Sequence, residues 1–309
     1  MFSALRFIKK SAQKRPYDAF ILSFDEPYQF NILLPELAKF KNSKIVAIAD
    51  EYPTPIRHYL KDSVPDSKLE KYKKIYKNID ARILMTEKLR VFYDNKVCVK
   101  PTLLLSTIVD TDRFNNVSKI KSDCDYLCYM GNMELSKDNV DNIIEAFNLI
   151  KDVFPNLDLH LYGTPSSTDK KKLEDLISQY GLQYRVILKG RALYNDVPCI
   201  LKSSKILLTS QPDTKRAEGG FPTKMGEYFM SGVPSILTNV GEISSYVVNG
   251  INAFMVPPHN PKAYAEAIIY VMNNYEQALN VAARAKAEVI DNYGYLSAGK
   301  NILEFIDGI

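Results

Sequence analysis

The sequence predicts an α/β fold made of two doubly wound, parallel-sheet domains that face a cleft. Three observations predict it. Short apolar runs of strand length alternate with longer segments of helical periodicity, the pattern of βαβ units. The chain has 309 residues and is 46% hydrophobic, enough to fill two cores. A polar stretch at Asn115–Ser122 separates two strand systems and sets domains over residues 1–118 and 119–309. In such a pair the ligand is expected in the cleft, at the carboxyl ends of the strands.

Residues 1–15 open as a basic amphipathic helix, with Arg6, Lys9, Lys10, Lys14 and Arg15 around Phe2, Leu5 and Ile8. Strands are expected at Ala19–Ser23, Lys44–Ala49, Ala81–Met85 and Val97–Leu104, with a second basic, tyrosine-bearing helix at Lys68–Lys77. The second half places strands at Tyr126–Met130, Leu157–Tyr162, Arg185–Lys189, Lys205–Thr209 and Pro234–Thr238. Helix Val140–Val153 carries Ile143, Ile144, Phe147 and Ile150 on one stripe. After the apolar run Ile206–Leu208 comes a paired glycine, then Pro222 and Thr223 at a helix start. That short helix is stopped by Gly232 and Pro234. The last fifty residues read as three helices, Pro261–Met272, Tyr275–Val289 and Leu296–Ile306.

Composition excludes several classes. No run approaches the roughly 18 uninterrupted apolar residues of a membrane span, and no secretory apolar region opens the chain. Four cysteines, Cys98, Cys124, Cys128 and Cys199, are too few and scattered for a disulfide scaffold. Cys124 and Cys128 lie four strand positions apart, about 13 Å, too far to share a metal. Reduced, mostly buried thiols and a cytoplasmic location are expected. His58, His160 and His259 show no metal-ligand spacing, and His160 falls on a strand as a core residue. A net charge of +4 does not suit a general nucleic-acid binder. The two basic helices admit two readings. They are solvated faces, or they lie against an anionic bilayer, where each basic residue contributes roughly 1 kcal/mol.

The stretch from Glu218 to Thr238 carries the chemistry. Bare peptide N–H groups at a helix start, reached through a glycine loop, suit a diphosphate. The carboxylates of Glu218 and Glu227 beside them can accept hydrogen bonds from sugar hydroxyls. Together they point to a nucleotide-sugar site.

Gly220 to Tyr228, Gly-Phe-Pro-Thr-Lys-Met-Gly-Glu-Tyr, is similar to a variant of the donor-binding signature of family 4 retaining glycosyltransferases, which have the GT-B fold. Tyr129–Lys137, Leu159–Gly163, Val186–Arg191 and Val109–Phe114 resemble other segments of that family. The resemblance covers roughly residues 45–309 and is strongest after residue 125. It implies a metal-independent hexosyl transfer from a UDP- or GDP-linked sugar to a glycan or lipid-linked acceptor, with no cofactor. It further implies a role in surface-polysaccharide assembly at the inner face of the membrane, and a first domain shortened by roughly 70 to 90 residues.

The resemblance also assigns roles residue by residue. Gly131 and Lys137 meet the diphosphate, and Asn132 stands where the family carries arginine. Lys224 replaces that cation or faces solvent. Glu227 holds the ribose, and Pro222 and Thr223 start the helix. Glu218 is one residue out of register, with Gly219 at the family's position. Either Glu218 swings onto the donor sugar, or the N–H groups of Gly219, Gly220 and Phe221 bind it alone. Arg191 lies at the base. Asp50 and Glu51 assist proton removal from the acceptor, or are ordinary loop acids. A GT-B epimerase would need more acids and a histidine in the cleft. A non-catalytic sugar-nucleotide-binding protein is the alternative favoured by the short first domain, Asn132 and the shifted glutamate.

Overall fold

The computed structural model describes residues 2–12, 15–23, 27–53, 66–120 and 124–309. Lys14, His58 and the end of the predicted boundary at Ser122 lie outside them. In chain order the elements begin with α1 (Phe2–Ala12), β1 (Ala19–Ser23), α2 (Pro27–Leu37), β2 (Lys44–Ala49), α3 (Asp66–Tyr76), β3 (Ala81–Leu84), α4 (Glu87–Lys96) and β4 (Thr102–Leu104). A 3₁₀ turn, Thr111–Phe114, leads to β5 (Asp125–Met130), α5 (Leu135–Asp138), α6 (Val140–Ile150), β6 (Leu157–Tyr162), α7 (Ser167–Gln179), β7 (Val186–Gly190), α8 (Val197–Ser203) and β8 (Ile206–Leu208). Then come α9 (Lys215–Gly219), α10 (Lys224–Ser231), β9 (Ser235–Thr238), α11 (Ile243–Tyr246) and β10 (Phe254–Val256). Helices α12 (Pro261–Asn273), α13 (Tyr275–Glu288) and α14 (Tyr295–Asp307) close the chain, with a π-helical turn at Val289–Tyr293.

The chain forms two compact units, and neither is one continuous segment. Unit 1 comprises Met1–Ser106, Glu218–Phe221 and Ala298–Ile309; unit 2 comprises Thr107–Ala217 and Pro222–Ser297. Most of α14 therefore belongs to unit 1, not to the second domain to which chain order alone assigns it.

Unit 1 holds a parallel sheet of order β1-β2-β3-β4. Its central strand β2 is apolar on both faces because both faces pack against side chains. Ile45 and Ala47 of β2 pack in the cluster that includes Leu33, Leu37, Tyr72 and Leu84. Val46 points the other way and packs with Ile302, Phe305 and Ile306 of α14. Tyr72 and Tyr76 of α3 are buried, whereas Lys71 and Lys74 are exposed. The predicted strand Val97–Leu104 shrinks to Thr102–Leu104. Val97 caps α4, its N–H donating to Tyr93 O, and Pro101 has no N–H to offer a ladder.

Arg82 on β3 is fully buried and fully occupied. It donates to Thr102 Oγ1 and to the Cys98 carbonyl, both at 2.9 Å, and pairs with Asp94. One guanidinium thus joins β3, α4 and the approach to β4.

Unit 2 holds a six-stranded parallel sheet of order β10-β9-β8-β5-β6-β7. The order reverses between β8 and β5, so helices cover both faces, as in a dinucleotide-binding doubly wound sheet. Among the described residues this reversal is found in the second sheet only. The core joins Leu127, Ile143, Phe147, Leu159, Leu208, Ile236 and Ile268. Strand β10 was not legible in the sequence, being three residues between Asn252 and Pro257. His160 is a core residue as expected. It is 9% exposed, stacks on Tyr126 at 4.2 Å, and burial lowers its pKa to about 4. The thiols are free, but only Cys128 is fully buried, and Cys124 is exposed. Among the described residues no helix is long and apolar enough to cross a membrane.

Candidate functional site

In unit 2 the reversal point of the sheet brings the carboxyl ends of β5 and β8 beside the start of α10. Tyr228 of α10 ties them together. Its hydroxyl accepts the Met130 N–H at 2.9 Å and donates to the Leu208 carbonyl at 3.3 Å. That bonding puts the first turn of α10 beside the Gly131 turn.

Gly131 is required there by space. A Cβ at this position would collide with the Tyr129 hydroxyl and with Lys224 Nζ. Lys224 neither faces solvent nor stands free. Its Nζ donates to Asp138 Oδ1 at 2.8 Å and to the Tyr129 hydroxyl at 3.2 Å. Burial pushes the Lys224 pKa down, opposed by Asp138, with the nearby Lys137 adding to the fall. Asp138 is only 2% exposed, and its Oδ2 has no hydrogen-bond partner among the described residues.

Lys137 is half-buried on α5 and Asn132 is exposed. At the α10 start Pro222 is buried and Thr223 exposed, with no side-chain cap bond. The N–H groups of Met225 and Gly226 bond back to the carbonyls of Pro222 and Thr223. Among the described residues the Thr223 and Lys224 amides have no backbone partner. Arg191 is exposed just after β7.

Glu227 is engaged in a way the sequence did not show. Its Oε1 accepts Arg113 Nη1 at 2.6 Å. Arg113 also donates to the Tyr194 carbonyl and stacks on the Tyr194 ring, 3.4 Å from its centroid. The only sequence signal for Arg113 is its place in the segment Val109–Phe114.

The remaining predicted residues belong to unit 1. Glu218 and Gly219 were expected in a mobile loop, but they end a short helix, α9. The Gly219 carbonyl accepts the Thr86 hydroxyl at 2.9 Å, and a Cβ on Gly219 would strike the Tyr52 ring. Gly220 is half-buried and Phe221 buried. Asp50 and Glu51 follow β2 directly, Asp50 exposed and Glu51 half-buried. Among the described residues no three His, Cys, Asp or Glu side chains come together as a metal-holding group.

Residues 110–288, more than half of the chain, match the family of glycosyl transferases group 1, and the chain belongs to that family. The poly(ribitol-phosphate) alpha-N-acetylglucosaminyltransferase of Staphylococcus aureus (strain COL) is 25% identical over 218 residues, 70% of this chain. This chain spans 41% of that protein's length.

Among solved structures, Anabaena HepE in complex with UDP superposes with a TM-score of 0.79 at 14% identity, covering 99% of this chain and 82% of that one. A variant of S. aureus TarM, bound to fondaparinux, alpha-GlcNAc-glycerol and UDP, gives 0.73 at 20% identity, covering 98% and 58%. These likenesses give the fold, which is GT-B.

Proposed function

We propose that this chain is a retaining glycosyltransferase. It would move a sugar from a UDP- or GDP-linked donor to a glycan or lipid-linked acceptor without a bound metal. The observation that carries the reading lies within unit 2. The Gly131 turn, Lys137, the amides of Thr223 and Lys224, and the Glu227 carboxylate all gather where a doubly wound sheet binds nucleotides. The leaving diphosphate gains negative charge as the anomeric carbon turns positive, and cations and aimed N–H groups stabilise that charge without a metal ion. Glu227 takes the ribose hydroxyls, Arg191 the base, and Glu218 with the Gly219–Phe221 amides the sugar. Asp50 or Glu51 receives the acceptor proton. UDP is the first donor nucleotide to try, because HepE and TarM were both crystallised with it. The acceptor reading includes a bilayer surface for α1, whose Lys9 and Lys10 lie in its last turn, on the cytoplasmic side.

A second reading, a binding protein without turnover, is favoured by one specific observation: Lys224 is committed to Asp138, and Asn132 supplies no cation in its place. A thermal-shift panel of UDP, GDP and their sugars tests both. A nucleotide at a hundred times its Kd should stabilise the fold by about 2.7 kcal/mol. If none of the panel raises Tm, the donor site is refuted. Binding of a sugar nucleotide without its slow hydrolysis would leave the binding protein. Chelator should change neither result, and strict dependence on magnesium or manganese would overturn the metal-free reading.

A further inference from the structure

Arg113 has no part in the roles assigned above, yet one guanidinium holds two elements of the nucleotide site. Its 3₁₀ turn is fixed from both sides. The Tyr295 hydroxyl donates to Asp112 at 2.7 Å, and Lys202 donates to the Phe114 carbonyl at 2.7 Å. Phe114 itself is buried. From this anchored turn Arg113, with its side chain 13% exposed, reaches Glu227 with one nitrogen and the Tyr194 carbonyl with another. Its plane lies on the Tyr194 ring. The rigid fork of arginine makes all three contacts at once, which an ammonium cannot do.

Two consequences follow for the site. Glu227 sits on the first turns of α10 with three rotatable bonds, and unpaired it would sample several rotamers. With Oε1 held, Oε2 has no partner among the described residues and is presented in one orientation. Tyr194 lies on the loop that begins at Arg191. Tyr194 is 63% exposed, and the Arg113 guanidinium lies over its ring. The same guanidinium therefore sets the spacing between the carboxylate and the loop after β7.

We propose that Arg113 is a positioning residue for nucleotide binding. It holds the Glu227 carboxylate and the Tyr194 loop in register without touching the reacting atoms. The proposal rests on the donor-site reading, and one double-mutant cycle separates the two. UDP and GDP binding would be measured by calorimetry for the wild type, Arg113→Ala, Glu227→Gln and the double variant.

Each single change should weaken binding about 10- to 100-fold, the range for a lost charge-assisted hydrogen bond. The double variant should lose less than the product of the two single losses, because Arg113 acts in part through the carboxylate. Fold losses that multiply, or an unchanged affinity in Arg113→Ala beside a weakened Glu227→Gln, would overturn the positioning role and leave the donor site standing. If Glu227→Gln binds both nucleotides as the wild type does, the donor-site reading falls instead. Should Arg113→Ala fail to fold, Arg113→Lys enters the same cycle. It keeps a cation for Glu227 but not the stack or the second bond, and an intermediate loss is expected. Wild-type affinity for Arg113→Lys would then sink the proposal.

Discussion

Lys137 and Lys224 are both candidate phosphate cations by sequence, and they stand on different helices of unit 2. Lys137 is half-buried on α5, whereas Lys224 is paired with Asp138 beneath the Gly131 turn. Lys137→Ala should therefore weaken donor binding by about 1.5–3 kcal/mol, with the urea midpoint nearly unchanged. Unaltered affinity by calorimetry would remove Lys137 from the site. Lys224→Met should do the reverse. It strands the Asp138 carboxylate in the interior at a cost of about 3–5 kcal/mol of stability, and Asp138→Asn in the same chain should recover part of it. The turn at Gly131 was legible because an apolar strand run ends directly before it. Asp138 was not. Its partner lies 86 residues along the chain, and nothing local marks one acid as buried among so many exposed ones. Arg113 escaped for the same reason, with Glu227 114 residues away.

At the level of elements, two buried polar side chains set the cost of disrupting each sheet. Arg82 binds β3, α4 and the approach to β4. Arg82→Met leaves the Cys98 carbonyl without its donor and takes from Asp94 one of its two arginine partners, Arg90 remaining, and should cost about 3–5 kcal/mol by chemical denaturation. A loss below about 1 kcal/mol would mean that Asp94, which is partly exposed, simply turns to water. On β6, His160 gives the second sheet a pH dependence. The unfolded chain protonates this imidazole below about 6.5, but the folded one only near 4, because burial resists the charge. Stability should accordingly fall as pH drops from about 6.5 to 4, by about 2–3 kcal/mol in total. His160→Phe, which keeps a ring against Tyr126, should flatten that slope, and an unchanged slope would place its origin elsewhere.

Strand positions were readable within a residue or so wherever apolar runs were long, as at Lys44–Ala49 and Leu157–Tyr162. Boundaries failed where caps decide them: Val97 turned out to end a helix, and Glu218 and Gly219 formed one. Periodicity reports which face is apolar, but it does not report where a neighbour's carbonyl waits.

On the scale of the whole molecule, alternation of strand and helix was enough to foresee two parallel sheets. The destination of α14 was not foreseeable, because an amphipathic stripe names no partner. Its Ile302, Phe305 and Ile306 cover the unit 1 face formed by Val46, Ala81 and Ile83. A fragment of residues 107–309 should hence expose that stripe and self-associate, while one of residues 107–297 should not. Equal light scattering from the two fragments would contradict this assignment. The crossing also has a consequence in time. A ribosome finishes the four strands of the first sheet near residue 104 and reaches α14 only after all of unit 2 is made. At bacterial or eukaryotic elongation speeds that interval is on the order of 10 to 40 seconds. Throughout it the nascent sheet carries Val46, Ala81 and Ile83 without the α14 side chains that pack on them. The half-finished chain thus carries an apolar face that the finished protein buries under α14.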